Sequence, residues 1–584
     1  VVSTAMAAEV QRAETVPPGR RPARSLVPPV AAVLGGTLLI ALHALVYSYW
    51  LVDDAAITFS YARNVADGLG PVFQPGAEPV EGYSNPAWLA LLVIGKWLGL
   101  FDHGAIFGIP DYVLFPKGVA LLCCVGILVA FYSAARVVSR HPAWVTFGAG
   151  ALLAAVPSFV IWSFSGLENS LYGLAVAALA CGLVRAVARD QTLAWKVAVT
   201  AGLLAALAAL TRPDGLIYCA VYPLVVLLHF DRGAVLARVR AVGLSLAAFA
   251  VPVGAYFLWR KAEFGIWLAN TAVSKRQGFP ELAFFGRAGL LLAYAGALAV
   301  LTLALCVGIA LTRSAVLRNA IVTLLVPLAL AIVAYALLEP DWMGEYRFAT
   351  PVWVLAAFVA AVSVGAVLEH AGVRGRIATV GTLVLVMIPA GDGFVAAAQK
   401  FRDNPSVPMC GVATRYGRAF NGYADVLGIR EGTFVAPDMG GAGMTSRLAL
   451  VDMVGLVDRR LGALWGQWDM PGIRDYIFDE VKPTFIHSHT VWSDHTGLLA
   501  DPRMMRDYEV VYTTNYGPET LGRAGLDGDF VRKDAVQSPE KLQAVREYAV
   551  RKMRPAEHMS GLSPLGKCGE TLSPGQLPWP ATPN

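Results

Sequence analysis

The stretch Pro29–Trp50, PVAAVLGGTLLIALHALVYSYW, runs for 22 residues without an Asp, Glu, Lys or Arg, and Leu51-Val52-Asp53-Asp54 follows it directly. A helix of that length rises about 33 Å, enough to cross the hydrocarbon core of a bilayer. A secretory signal has a shorter apolar region closed by a small-residue cleavage site, so this run reads as an uncleaved first membrane helix. The residues before it, 1–28, are rich in Pro, Arg and Ala and include Arg20-Arg21. They cannot bury enough apolar surface to fold and read as a disordered cytoplasmic tail.

Further apolar runs lie near 115–137, 143–163, 170–188, 195–210, 215–230, 241–259, 288–311, 318–338, 349–369 and 376–394. With the first helix they predict a polytopic α-helical membrane protein of about 11 transmembrane helices over residues 29–394. Composition agrees: 56% of the 584 residues are hydrophobic, 15% are charged, and the mean hydropathy is +0.55. The net charge of +5 carries no nucleic-acid signature. Cations cluster in short loops, at Arg136 and Arg140, Arg185 and Arg189, Arg238 and Arg240, Arg313 and Arg318, and Arg374 and Arg376. An inside amino terminus places all of them in the cytoplasm, as the positive-inside rule requires. An odd number of spans then sends the loop after Trp50 and everything beyond 394 to the outer, extracytoplasmic face of the membrane. The stretch Ala87–Phe101, interrupted by Lys96, would reverse that assignment as a span, so it is read as a helix lying in the interface.

Residues 395–545 have a different texture. Short apolar stretches at Thr433–Ala436, Leu448–Val454, Thr484–His487 and Val510–Thr513 alternate with helical patterns such as Pro471–Val481, predicting an extracytoplasmic α/β domain. Residues 546–584 are polar, end Pro-rich and read as a disordered tail. Five cysteines sit in or beside apolar runs as small hydrophobes, whereas Cys410 and Cys568 alone occupy the polar region, where an oxidising compartment favours their pairing.

The candidate chemistry begins at Asp53 and Asp54, two carboxylates at the end of a spanning helix. Residues 55–67 read as an amphipathic interfacial helix, with an Asp as N-cap and Gly68 closing the far end. One Asp suffices for a cap. The second can serve as a general base, since an acceptor hydroxyl must lose its proton as it attacks a sugar carbon. Spacing alone leaves both readings open. Beyond the helix the loop continues Gly70-Pro-Val-Phe-Gln-Pro-Gly-Ala-Glu-Pro-Val-Glu-Gly-Tyr-Ser-Asn-Pro-Ala-Trp88.

From Asp53 to Trp88 this loop resembles the opening loop of bacterial GT-C glycosyltransferases, in particular the group around the mycobacterial terminal β-(1→2)-arabinofuranosyltransferase. The shared features are the Asp-Asp pair, the helix bearing Arg63-Asn64, the turn Gly68-Leu-Gly-Pro-Val-Phe-Gln-Pro-Gly76, and Val80-Glu81 before a Trp-containing helix. Gly82-Tyr83-Ser84-Asn85 is closer to broader relatives of unassigned sugar specificity. The resemblance covers the loop well, the topology loosely and little of the carboxy-terminal region. It implies a GT-C fold and an inverting transfer of a sugar, arabinofuranose in that group, from a polyprenyl-phosphate donor to a cell-envelope glycan. It implies an Asp of the first loop as base, with Asp53 favoured and Asp54 capping or orienting the acceptor. Arg63, Glu81, Tyr83 and Asn85 are the loop's substrate-binding candidates, although Arg63 can instead pair with a carboxylate.

Other outer loops add candidates. Glu168 can hydrogen-bond a sugar hydroxyl, or cap the next helix with Ser165. Arg212, Lys275, Arg276 and Arg347 are cations on the outer face, against the charge rule; a donor phosphate is one reason for them and interfacial anchoring another. With cations available no cofactor is required, though adjacent aspartates permit a divalent cation. His487, His489 and His495 have metal-ligand character without a ligand framework, so no metal site is assigned. Asp438-Met-Gly-Gly-Ala-Gly443 reads as a turn, and Trp465, Trp468 and Trp492 either stack on sugars or form core. Membrane lipid is an expected partner throughout. A membrane transporter and a non-catalytic envelope assembly protein are the alternatives; a transporter would place its charges at mid-membrane rather than at loop ends.

Overall fold

In the computed structural model, the described residues run from Val27 to Met553, apart from 231, 276–283, 285, 340 and 514–527, and include Gly566, Cys568 and Thr571 beyond. All eleven apolar runs are helical. Seven helices are long and apolar enough to span: Val27–Tyr47, Asp111–Val138, Asn169–Ala188, Val235–Phe264, Ala315–Leu337, Arg347–His370 and Val373–Asp403. Two more runs are helix pairs with sharp bends, Pro142–Ala155 with Pro157–Ser163 (83°) and Gly286–Ala295 with Ala297–Leu311 (94°). The first bend falls at a proline and the second at Gly296, whose φ is +85°, the residue types that break an i→i−4 ladder most readily. Trp195–Thr211 and Pro213–Leu228 are shorter than 18 residues.

Close backbone approach holds this bundle together. A Cβ on Gly150 would lie 2.9 Å from the Gly36 Cα, so the first helix and Pro142–Ala155 meet through small residues, as apolar helices do where lipid supplies no hydrophobic drive. Pro86–Trp97, inside the stretch expected at the interface, has 12 residues. It rises only about 18 Å, less than a bilayer core. The helix expected over 55–67 is Asp53–Ala66, but it is not a surface helix: Ala55 through Asn64 are all buried in protein. Its apolar and polar sides both face other elements, which hydropathy periodicity cannot distinguish from a bilayer surface.

A two-residue hairpin, β1 Ala105–Ile106 and β2 Ile109–Pro110, precedes the second long helix. The remaining strands are β3 Thr433–Ala436, β4 Ala449–Asp452, β5 Phe485–Ser488, β6 Tyr508–Thr513 and β7 Gly528–Arg532, in the order β4-β3-β5-β7-β6. The β3–β4 and β3–β5 pairs are parallel; β7 is antiparallel to both β5 and β6. Alternation divides the two faces. Phe434, Phe485 and Val531 share a core with Phe420, Val545 and the membrane helices. Val435, Ile486 and Phe530 join Met453, Leu461 and Trp465 in a second core on the other face.

The boundary expected at 545 cuts a single helix, Pro539–Met553. Val545 and Ala549 are fully buried on it, so its apolar side extends order past the polar composition that suggested a tail. The expected Cys410–Cys568 disulfide is present and ties a further point of that segment down, while Cys123, Cys124, Cys181 and Cys306 are free and buried. The tail expected over residues 1–28 lies outside the described residues except for Val27 and Pro28, and most of 554–584 lies outside them too.

Between the two cores, Asp529 accepts two hydrogen bonds from the Arg415 guanidinium (2.8 and 2.9 Å), one from Tyr423 (2.7 Å) and one from His487 Nδ1 (2.8 Å). Burial would raise its pKa, but Arg415 and His487 outweigh burial and hold it at about 2. Because the folded value lies below the unfolded one, about 3.9, this cluster contributes full stability above that value and loses it as pH falls through 2. Asp529→Asn is therefore expected to cost about 3 kcal/mol or more at neutral pH, by stranding the Arg415 charge. Chemical denaturation at pH 7 and at pH 2.5 checks this: the variant's deficit should shrink at the lower pH.

Candidate active site

The segment Leu51–Asp53 leaves the first helix and is fixed on both sides by backbone bonds. Val52 N donates to Ser165 O, Asp53 N to Val407 O, and Met409 N to Leu51 O, each at 2.9–3.0 Å. The helix then starts with Val52 as N-cap and no side-chain cap, so neither aspartate has the capping role expected for one of them. Asp67 and Gly68 (φ +81°) close the other end as expected.

The two aspartates differ sharply in surroundings. Asp53 is 3% exposed. Its Oδ1 accepts the Gly441 N–H at 2.7 Å and its Oδ2 the Gly440 N–H at 2.9 Å. A Cβ on Gly440 would collide with the Asp53 carbonyl oxygen, so only glycine permits this approach. Burial, then Asp438 and Asp54, push the Asp53 carboxyl well above the usual range, with the Gly441 and Gly440 bonds opposing them. Asp54 is half-buried and makes no hydrogen bond among the described residues. Burial raises its pKa; Lys275 and Arg347 lower it, and Asp341 and Asp438 raise it. Asp53, the residue favoured as base, is thus the one held by hydrogen bonds, and Asp54, expected to cap the helix or orient the acceptor, makes no capping bond. The partner that ties Asp53 is 387 residues away, beyond what local spacing conveys.

Around Asp54 stand two cations and a dyad. Lys275 ends the short helix Asn270–Lys275 and is exposed. Arg347 is paired through Nε with Asp341 (2.6 Å) and stacks over Phe348 (4.9 Å). The turn that presents it has Glu345 and Tyr346 both at positive φ, 45° and 52°. Such a conformation is unfavourable for side chains with a Cβ and persists where the surroundings enforce it; here Glu345 O accepts from Ser158 Oγ and Trp162 Nε1. On the other side His489 Nε2 lies 3.4 Å from Asp438 Oδ2, each side chain about a quarter exposed. Asp341, Asp438 and His489 were not among the expected site residues. The Asp438 loop follows a strand, and that context was its only signal.

The remaining candidates are engaged inside the protein. Arg63 is bidentate to Asp102 (2.6 and 2.9 Å) rather than near the aspartate pair. Glu81 is fully buried against Arg260 and Tyr256, and burial raises its pKa. Tyr83 is 3% exposed, its ring 5.0 Å from Tyr61. Asn85 receives Thr58 Oγ1 (3.3 Å) and donates to Glu168 Oε2 (2.8 Å). Glu168 Oε1 accepts from Arg212 (2.9 Å), and Arg212 also bonds Asp214 (2.9 Å). Glu168 makes no capping bond to the helix it precedes. Arg212, flanked by two carboxylates, has no charge left for a phosphate. Charges at a low-dielectric boundary must be paired, and these pairs tie the loop to the bundle. Arg276 lies outside the described residues. Among those residues no three His, Cys, Asp or Glu side chains gather as for a metal ion. Trp465 is core, whereas Trp468 is exposed.

No family model matches the chain. Terminal β-(1→2)-arabinofuranosyltransferases of Mycobacterium tuberculosis and Corynebacterium glutamicum are 29% identical over 238 residues and 26% identical over 263. These matches cover 39% and 41% of this chain but 35% and 36% of the relatives, so the chain matches about a third of their length. ArnT of Cupriavidus metallidurans, apo and bound to undecaprenyl phosphate, superposes with a TM-score of 0.53 at 13% and 11% identity. Those superpositions cover 86% and 88% of this chain and 98% and 99% of the other. The apo oligosaccharyltransferase of Archaeoglobus fulgidus gives 0.50 at 12% identity, covering 90% of this chain and 77% of its own. The chain is thus a multi-pass membrane protein with the fold of the GT-C membrane glycosyltransferases, and over about two fifths of its length it is similar to terminal β-(1→2)-arabinofuranosyltransferases.

Proposed function

We propose that this protein is an inverting glycosyltransferase that moves a sugar, arabinofuranose by its relatives, from a polyprenyl phosphate to a cell-envelope glycan, with Asp54 as general base. The observation that carries the reading is the division of labour between adjacent carboxylates. Both oxygens of Asp53 are closed by backbone N–H groups, while Asp54 is open between cations and the Asp438–His489 pair. In the reaction an acceptor hydroxyl oxygen attacks the anomeric carbon as its bond to the phosphate oxygen breaks. The hydroxyl proton passes to Asp54, and polyprenyl phosphate leaves with one more negative charge than it brought. Lys275 and Arg347, whose charges act on Asp54, would meet that charge, and their effect is larger away from bulk water.

The lipid half has a matching feature. An apolar cavity of about 530 Å³ lies among the bent pair at Gly296 and its neighbours, lined by Leu152, Leu291, Trp353 and Phe394. Trp353 Nε1 donates to Ser158 Oγ (2.9 Å), which in turn donates to Glu345 O (2.7 Å), two residues before Arg347. A polyprenyl chain in this cavity would bring its phosphate toward the Arg347 turn. The Cys410–Cys568 bond and the cation-bearing loops on the opposite side support an outer-face site.

Asp54→Asn is expected to lower turnover about 10²-fold or more with donor affinity and melting temperature nearly kept. Asp53→Asn is expected to lose about 2 kcal/mol of stability, because an amide presents its NH₂ to one of the two backbone donors. Purified variants assayed with a panel of radiolabelled polyprenyl-phosphate sugars decide between them. Normal turnover in Asp54→Asn would remove it as base.

Because Asp54 is raised and acts deprotonated, turnover should fall on the acid side with a midpoint above the ordinary carboxylate value of about 3.9. A limb at or below that value would contradict the assignment. Turnover in excess EDTA is expected to match the untreated enzyme.

For sidedness, a cysteine at exposed Asp494 should react with an impermeant maleimide in intact cells. Reaction only after permeabilisation would place the site in the cytoplasm.

A further inference from the structure

Trp468 closes the helix Arg459–Gln467 in a left-handed conformation, φ 60° and ψ 32°. Glycine is the usual residue at such a helix end, because a Cβ there crowds the adjoining carbonyl. Its ring is 66% exposed. A large ring held in unfavourable backbone and turned to water is costly to the fold twice over, which points to a use outside the fold. Beneath it Trp465 is buried, and its Nε1 donates to Met453 O at 2.7 Å. Trp468 and Trp492 both meet Trp465 edge-on, at 5.7 and 5.6 Å between centroids. His495 lies 6.1 Å from Trp468 between ring centroids, and His495 and Gln467, next to Trp468 in the chain, are exposed. The result is an anchored aromatic surface with a hydrogen-bonding rim. A sugar ring has the complementary form: an apolar C–H face to lie on the indole and hydroxyls at its edge.

Both elements that carry this surface are joined to groups whose charges act on Asp54. The helix Thr490–Thr496, with Trp492 and His495, begins directly after His489, the partner of Asp438. The helix Arg459–Gln467 follows a loop that receives Asn270 Nδ2 at Gly455 O (2.8 Å) and Ser274 Oγ at Val454 O (2.7 Å), bonds from the short helix that ends in Lys275. Trp468, Trp492, Gln467 and His495 include no Lys or Arg to hold the anionic donor, which leaves the neutral acceptor as the occupant.

We propose that Trp468, with Trp492 and the His495–Gln467 rim, is a subsite for the acceptor glycan that grips a neutral oligosaccharide at sugar units beyond the one that reacts. The proposal rests on the glycosyltransferase reading and deepens it. Its test uses the full chain in nanodiscs and soluble oligosaccharides without any lipid donor: arabinofuranose, mannose and glucose oligomers, followed by saturation-transfer NMR and titration. One of these oligomers should bind, and Trp468→Ala should weaken it about ten-fold. The KM for a long acceptor should rise alike, while kcat on a disaccharide acceptor stays unchanged. Trp468→Tyr should retain most of the affinity. Trp468→Gly should lose it while melting at the same temperature or higher, since glycine relieves the backbone; a ring needed only for folding would melt lower. Asp54→Asn should bind the glycan as the unaltered protein does. Glycan binding without transfer from any donor would sustain the subsite and sink the transferase reading. Unchanged affinity and KM in Trp468→Ala would overturn the subsite. So would quenching of Trp468 fluorescence by brominated lipid, which would make the ring a membrane anchor.

Discussion

The Asp53 carboxylate, held by the N–H groups of Gly440 and Gly441, joins the membrane helices to the sheet. Everything in the cleft depends on that contact. It sits where the first helix ends, and the backbone bonds of Leu51–Asp53 to Ser165, Val407 and Met409 surround it. In a buried setting neither the carboxyl nor the two backbone donors have water to fall back on, so losing either bond carries the full cost of an unsatisfied group. With Asp53 fixed, the helix direction fixes Asp54 one residue later, about 100° around the axis. The same loop, Asp438–Gly441, brings the Asp438–His489 pair up to it. A bond that consumes one carboxylate therefore positions the other.

The charges elsewhere in the outer loops follow the economics of a low-dielectric boundary. Glu81 with Arg260, Arg63 with Asp102, and Arg212 between Glu168 and Asp214 are closed sets; the first ties the opening loop to the helix Val235–Phe264, and the second ties the helix Asp53–Ala66 to the turn before Asp111–Val138. Leaving any member unpaired there would cost several kcal/mol. Their closure is what makes the open groups informative. Among the described residues Asp54 and Lys275 keep unspent charge, and Arg347, paired with one carboxylate rather than two, sits on a turn held in two successive left-handed residues. Strain and unsatisfied charge gather in one place, as they do where a structure is arranged for a ligand rather than for itself.

Residue order alone located the helical runs of the membrane region. All eleven apolar runs are helical, because a bilayer demands long apolar stretches, but among the described residues seven of them, or nine with the bent pairs, have the length to cross. Residue order also located four of the five strands of the large sheet, and it paired Cys410 with Cys568 because the polar region offered no other partner. It drew attention to Asp53-Asp54 through chemistry and resemblance together. What only the tertiary structure decided is which groups are free. Side-chain type shows that Arg212, Glu81 or Asp53 can bind a substrate, but availability depends on partners 44, 179 and 387 residues away. The burial of the Asp53–Ala66 helix was hidden for the same reason: its periodicity describes one side of a helix, and here protein supplies the environment on every side. Trp465, Trp468 and Trp492 were equivalent in sequence and became core, display and bridge only when the chain packed, because exposure is a property of neighbours and not of the residue.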